Sequence, residues 1–145
     1  MRVEEFDFPD DLLYLRGHVW MKLTRKKARM GLTSLGSSLA KEIVHVDLPD
    51  DGKEYSSGEP MASFETIKSV SEVTAPFRCR ISKVNENLLD APSLINKEPY
   101  GRGWILEVEV LDKMPQKDLM TVKEAADYFG KILSAEKERY RGIYE

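Results

Sequence analysis

One segment of the sequence could present a reactive amine, and it centres on Lys68. Two runs rich in residues typical of β-strands, 61–66 and 71–75, flank a short stretch that holds this single lysine. The pattern predicts a hairpin with Lys68 at or near its tip, clear of other side chains. An exposed lysine is protonated at neutral pH and is a poor catalyst unaided, but its long stem presents the amine to a modifying enzyme. The chemistry this predicts is acceptance of an activated carboxyl group, although most lysines in turns are only solvated.

The other reactive side chains do not form a recognisable active site. Glu65 and Glu72 are acids for which the solvated surface is the default, and Cys79 shares the apolar face of its strand, which predicts a thiol in the core. We expect His18 to be a hydrogen-bonded structural residue and His45 to lie on the wet face of its strand. Because no nucleophile and base can be paired, we predict that the protein is not an enzyme.

Composition narrows the class of protein further. The chain has 145 residues, 41% of them hydrophobic, and a net charge of −3, which predicts one domain over residues 1–145. Because both charge signs are spread along the chain, we expect no nucleic-acid partner. One cysteine and two histidines do not supply a zinc-type cluster, so we expect no metal centre. The cysteine count, the acidic N-terminus and the short apolar runs predict a cytoplasmic protein with no membrane partner.

The elements that must position Lys68 are short strands. Alternating apolar residues and turn signals over 18–111 predict a small β-sandwich or barrel. Within it, the segment 43–48 places Val44, Val46 and Leu48 on one apolar side. The period then changes near Pro115, and the capping-box pattern that starts at Thr121 predicts a helix over 121–140 packed outside the strands.

An ordered set of short motifs covers more than half of the chain. The motifs are His18-Val-Trp20, Gly31-Leu-Thr33, Ile43-Val-His-Val-Asp-Leu-Pro49, Gly58-Glu-Pro60, Glu65-Thr-Ile-Lys68-Ser, Ala75-Pro76, Val84-Asn85-Glu86, Leu94-Ile-Asn96 and Pro99-Tyr-Gly-Arg-Gly-Trp104. E-x-x-K alone is a weak signal, whereas the ordered set is specific. In this set the chain resembles the lipoyl-carrier family of the glycine cleavage system H protein.

The resemblance implies a barrel-sandwich hybrid fold with lipoate attached to Lys68 in amide linkage. It also implies that Glu65 and Gly58 help the lipoylating enzyme to recognise the hairpin. Ile67 and Ser69 flank the lysine where biotin-bearing relatives have methionines, which favours lipoate over biotin. A tethered arm of this kind moves a reactive group between partner enzymes without releasing it. We therefore expect a non-catalytic carrier, and we expect it to be a monomer.

The sequence departs from the family pattern at positions that affect which group the lipoyl arm carries, here called its cargo. Glycine-cleaving members usually have a glutamate where this chain has Val19, and that glutamate helps to hold an aminomethyl ammonium group. Glu72, where an aspartate is common, is a candidate arm contact that could compensate. The departures favour a branch that serves heterodisulfide-reductase-like sulfur oxidation, with sulfur compounds as cargo. One alternative is a genuine glycine cleavage H protein that carries the aminomethyl group between glycine decarboxylase and aminomethyltransferase, and a second is an unmodified structural or interaction module.

Overall fold

The protein is described by a computed structural model that covers residues 1–113 and 118–144, with side chains described as far as residue 137. Two antiparallel sheets form its centre, and a long helix follows them in the chain. The strands are β1 (Arg2–Val3), β2 (Phe6–Asp7), β3 (Leu13–Leu15), β4 (Val19–Thr24), β5 (Lys27–Leu32), β6 (Ile43–Asp47), β7 (Glu54–Tyr55), β8 (Pro60–Thr66), β9 (Val70–Thr74), β10 (Cys79–Val84) and β11 (Leu106–Val110). The helices are α1 (Ser34–Ala40), α2 (Asn87–Asp90), α3 (Leu94–Lys97) and α4 (Val122–Tyr144).

The larger sheet has six strands in the order β3-β4-β5-β11-β10-β7, and the smaller has three in the order β6-β8-β9. A further two-stranded ribbon joins β1 to β2. The main hydrophobic core draws its buried side chains from both sheets, so the sheets are held together by apolar burial on their inner faces. The predicted mainly β, barrel-sandwich-like fold with a C-terminal helix is confirmed.

Helix α4 lies outside the sheets and packs against β1 and β3 over a second hydrophobic cluster, which includes Phe8, Tyr14 and Phe129. Its N-terminus is capped reciprocally, as the capping-box pattern predicts. The Thr121 hydroxyl accepts from the backbone N–H of Glu124 at 3.3 Å, and the Glu124 carboxylate accepts from that of Thr121 at 3.0 Å. The helix extends four residues beyond the predicted end at 140. The predicted change of period near Pro115 lies outside the described residues.

Strand β6 departs from the predicted alternation. Val44 is 47% exposed, whereas Ile43 and Val46 are buried at 1% and 2% exposure, so the prediction that Val44 lies on the apolar side is wrong. The cause is an irregularity in the pairing of β6 with β8 between Ile43 and His45. Such a bulge inserts one residue into the strand and shifts the side chains after it relative to those before it. As a result, Ile43 and Val46, three residues apart, both face the core.

Within the described ranges, no helix is both long enough and apolar enough to cross a membrane.

Candidate functional site

Lys68 is exposed at the tip of the hairpin that β8 and β9 form. The tip is closed by Thr66 and Ser69, because the backbone N–H of Thr66 donates to the carbonyl oxygen of Ser69 at 2.9 Å. The Thr66 hydroxyl oxygen also accepts from the backbone N–H groups of Lys68, at 3.3 Å, and Ser69, at 3.2 Å. A hydroxyl used in this way stabilises a turn. The backbone that bears Lys68 is therefore held by local hydrogen bonds while its side chain is exposed to solvent.

The surroundings of Lys68 leave its amine accessible. No side chain in the described part of the chain forms an ion pair or a hydrogen bond with the Lys68 ammonium. The adjacent Ile67 is 85% exposed, and Val70 across the tip is 64% exposed. Both apolar side chains beside Lys68 are therefore open to solvent.

Glu65 lies at the end of β8, three residues before Lys68, and is half-buried. It pairs directly with Val70 of β9 on one side and with His45 of β6 on the other, so its side chain shares the outer face of the small sheet with theirs. The predicted exposure of His45 is confirmed. Its Nε2 lies 3.1 Å from Oδ1 of Asp47.

Gly58 is at the opposite end of the hairpin from Lys68. Its φ of +89° is a left-handed conformation that glycine adopts without strain, and its N–H donates to the carbonyl oxygen of Ala75 at 2.7 Å. At about 3.3 Å per residue, the seven residues of β8 between the two ends span roughly 23 Å. Gly58 therefore forms the base of the hairpin, and the structure does not bring it together with Lys68.

Glu72 is exposed in the middle of β9, where it pairs with Ser63 on the outer face. It lines a shallow cleft of about 310 Å³ together with residues that include Asp47 and Lys53. The predicted site residues are thus distributed along one hairpin: Lys68 and Glu65 near its tip, Glu72 at its middle and Gly58 at its base.

Two other residues singled out in the sequence are buried in the main core. Val19 is 7% exposed, so a valine there is explained by core packing alone. Cys79 is fully buried, and burial raises the pKa of its thiol to about 11, which confirms the predicted core thiol.

His18 differs from its prediction. It stacks on Phe129 of α4 with ring centroids 5.1 Å apart. Its buried Nδ1 has no hydrogen-bond partner within the described ranges, so the prediction of a hydrogen-bonded residue is wrong for this atom. The contact with α4 explains the difference, because the helix covers the imidazole with an aromatic ring instead of a polar group. Burial also lowers the pKa of His18.

The barrel-sandwich-like fold, with an exposed lysine at a hairpin tip, is the architecture of the lipoyl-carrier class of proteins. The family model described as "Glycine cleavage H-protein" matches residues 12–132, and the chain belongs to that family.

Individual relatives agree with this assignment. The chain is 42% identical to a probable glycine cleavage system H protein of Haloarcula marismortui over 116 residues, covering 80% of this chain and 91% of the relative. It is 38% identical to glycine cleavage system H protein 4 of Aquifex aeolicus, covering 94% of this chain and 80% of the relative. The crystal structure of a glycine cleavage system H protein from Mycobacterium marinum superposes with a TM-score of 0.77 at 31% identity, covering 85% of this chain and 99% of that one.

Members of this family are non-catalytic carrier proteins with lipoate covalently attached to a lysine, which confirms the predicted carrier class and cofactor. The comparisons do not support the expected sulfur cargo or a heterodisulfide-reductase-like partner, and they favour the glycine cleavage alternative. The burial of Val19 removes the main sequence argument for sulfur, since that residue has a structural reason to be apolar.

Sequence reasoning missed the part that Thr66 and Ser69 play in closing the tip. Hydroxyl residues on either side of a turn are a known signal for side chain–backbone hydrogen bonds, and both were visible next to Lys68.

Proposed function

We propose that this chain is the carrier protein of a glycine cleavage system and that Lys68 holds its lipoate through an amide bond. The observation that carries the proposal is the exposed ammonium of Lys68, unpaired among the described residues, on a tip whose backbone is held by Thr66. The family to which the chain belongs supports the choice of lipoate, and the names of its relatives support glycine cleavage.

The residues around Lys68 fit a lysine-linked lipoyl group. Thr66 and Ser69 hold the turn without covering the amine, and the exposed Ile67 offers an apolar surface to the lipoylating enzyme. When attached, the dithiolane supplies the group that accepts an aminomethyl unit and passes it on. The role of the protein is to anchor this arm on a small domain, because tethering raises the effective concentration of a group at the active site of each partner enzyme.

The hairpin also contains residues that we propose the lipoylating enzyme and the loaded arm contact. Glu65 supplies a half-buried negative charge near the tip, which we propose the lipoylating enzyme recognises. Gly58 sets the base of the hairpin through its bond to Ala75, so its contribution to recognition acts through hairpin shape. Glu72 is the candidate contact for a loaded arm. Glycine decarboxylase and aminomethyltransferase are the proposed clients, in the cytoplasm, with the whole chain acting as one domain and as a monomer.

Exchange of carbon dioxide into glycine by glycine decarboxylase tests the cargo. The lipoylated chain should support exchange within about threefold of the rate given by a Bacillus subtilis H protein, a difference below about 1 kcal/mol. Matched samples of the unlipoylated chain and of the Lys68→Arg variant should give only background. A fully lipoylated chain that gives no more exchange than its unlipoylated form would refute the glycine cleavage assignment.

A further inference from the structure

A second group of functional side chains lies beside Glu65 on the outer face of the small sheet. One ligand atom from each of His45, Asp47 and Glu65 can be chosen so that all three lie within 4.8 Å of one another. Strand pairing fixes this arrangement, because His45 of β6 is directly opposite Glu65 of β8 and Asp47 is two residues farther along β6. All three side chains are reachable from solvent.

His45 and Asp47 are in direct contact. Nε2 of His45 lies 3.1 Å from Oδ1 of Asp47, a distance at which an N–H on Nε2 donates to the carboxylate. The other carboxylate oxygen of Asp47 accepts from the Ser63 hydroxyl at 3.4 Å, which leaves Oδ1 directed toward the imidazole. A metal cation can take the place of this proton on Nε2, the proton then residing on Nδ1, and the Glu65 carboxylate can supply a third ligand.

The distances suit a small dication. Zinc binds imidazole nitrogen and carboxylate oxygen at about 2.0–2.2 Å, so two ligands of a tetrahedral ion lie roughly 3.3–3.6 Å apart. His45 and Asp47 are already near that separation, and a ligand atom of Glu65 lies within 4.8 Å of both. Mixed nitrogen and oxygen donors favour zinc-like transition metals over magnesium, which prefers oxygen ligands in octahedral geometry.

We propose that His45, Asp47 and Glu65 form a binding site for one zinc-like transition-metal dication, with one coordination position open. Counting histidines and cysteines in the sequence does not predict this site, because two of its three ligands are carboxylates. Only the register of β6 against β8 brings them together with His45. The site itself does not depend on the proposed function. A consequence that does rest on it is that metal binding occupies Glu65, so the metal-bound chain should be a poorer substrate for the lipoylating enzyme.

Isothermal titration of the tag-free, unlipoylated chain with Zn²⁺ tests the site. We expect one ion per chain and an affinity reduced at least about tenfold in His45→Ala. Glu86→Gln, which changes an exposed acid outside the small sheet, and Cys79→Ser, which removes the buried thiol, are matched controls that should bind as the parent does. Circular dichroism should show that every variant is folded. Equal affinity of the parent and His45→Ala, or equal affinity for Mg²⁺ and Zn²⁺, would overturn the proposal.

The consequence for lipoylation is tested separately. Saturating Zn²⁺ should slow lipoylation of the parent at least about threefold relative to His45→Ala under the same conditions, a difference of about 0.7 kcal/mol. The variant controls for any action of zinc on the lipoylating enzyme. If zinc slows lipoylation of both proteins equally, the idea that the bound metal hides Glu65 from the lipoylating enzyme is wrong. If the parent is not lipoylated even without metal, the proposed function is wrong instead.

Discussion

The hydroxyl oxygen of Thr66 accepts a hydrogen bond from the backbone N–H of Lys68 at 3.3 Å, two residues along the hairpin tip. The same oxygen accepts from Ser69 at 3.2 Å, so one side chain holds the backbone on both sides of the lysine. Together the two bonds fix the position of the Lys68 backbone, from which its side chain extends. A modifying enzyme that recognises the tip thus meets one backbone conformation and does not have to select it from many.

Thr66→Val should slow lipoylation roughly three- to tenfold, because loss of two exposed hydrogen bonds of about 0.5–1.5 kcal/mol each loosens the tip. Initial rates of mass increase, measured with a lipoylating enzyme, check this. Thr66→Ser keeps the hydroxyl and should restore the rate. Thr74→Val makes the same chemical change at an exposed strand position and should have no effect. A rate for Thr66→Val equal to that of the parent would show that the tip needs no such support.

Glu65→Gln should slow lipoylation more than tenfold while leaving the domain folded. The change removes a charge of the kind whose hydrogen bonds contribute about 1.5–3 kcal/mol, and it keeps the size of the side chain. The same rate measurement applies, with thermal unfolding followed in parallel. Glu86→Gln, at an exposed position outside the small sheet, is the matched control. Equal slowing by both substitutions would point to net charge instead of a specific contact.

Glu72→Gln should lower glycine decarboxylase exchange roughly ten- to a hundredfold if Glu72 holds the ammonium group of the cargo, because one charge-assisted hydrogen bond contributes about 1.5–3 kcal/mol. Lipoylation of this variant should be unchanged, since Glu72 lies midway along β9, away from the tip. Both rates can be measured on one preparation. Normal exchange by fully lipoylated Glu72→Gln would remove this residue as an arm contact.

Stability should fall as pH falls through the unfolded-state pKa of histidine, near 6.5, because burial lowers the pKa of His18 in the folded protein. The unfolded chain then binds more protons than the folded one, and a single group accounts for at most about 1.4 kcal/mol per pH unit. Urea unfolding at pH 7 and pH 5 measures the loss. His18→Asn should show less of it, since asparagine tolerates the left-handed φ of 67° at this position but does not titrate. Identical losses in the two proteins would contradict the role of His18.

The sequence predicts those parts of the site that depend on near neighbours. Residue types around Lys68 are enough to place it on a hairpin, because strand propensity and turn signals act over a few residues. The exposure of Val44 was not predictable in this way, since it results from a bulge in the pairing with β8. The unpaired Nδ1 of His18 likewise depends on the docking of α4, far along the chain. Register and docking are set by packing of the whole domain, and one local pattern does not encode them.

The clustering of His45, Asp47 and Glu65 depends on the same long-range pairing. Taken singly, each of these residues predicts only a solvated polar side chain on a strand. Their proximity follows only when β6 and β8 are aligned residue by residue, which explains why counting ligands along the sequence gave no metal site.

The most direct test of the central claim, that Lys68 bears the lipoyl group, is the intact mass of the chain after co-expression with a lipoylating enzyme and lipoate. The parent should gain the mass of one lipoyl group, and peptide mapping should place it on Lys68. Lys68→Arg should keep its unmodified mass, because arginine retains the charge but its guanidinium is too weak a nucleophile to be acylated. A lipoyl group of equal occupancy on Lys68→Arg, or an unmodified parent in cells that lipoylate another H protein, would contradict the account.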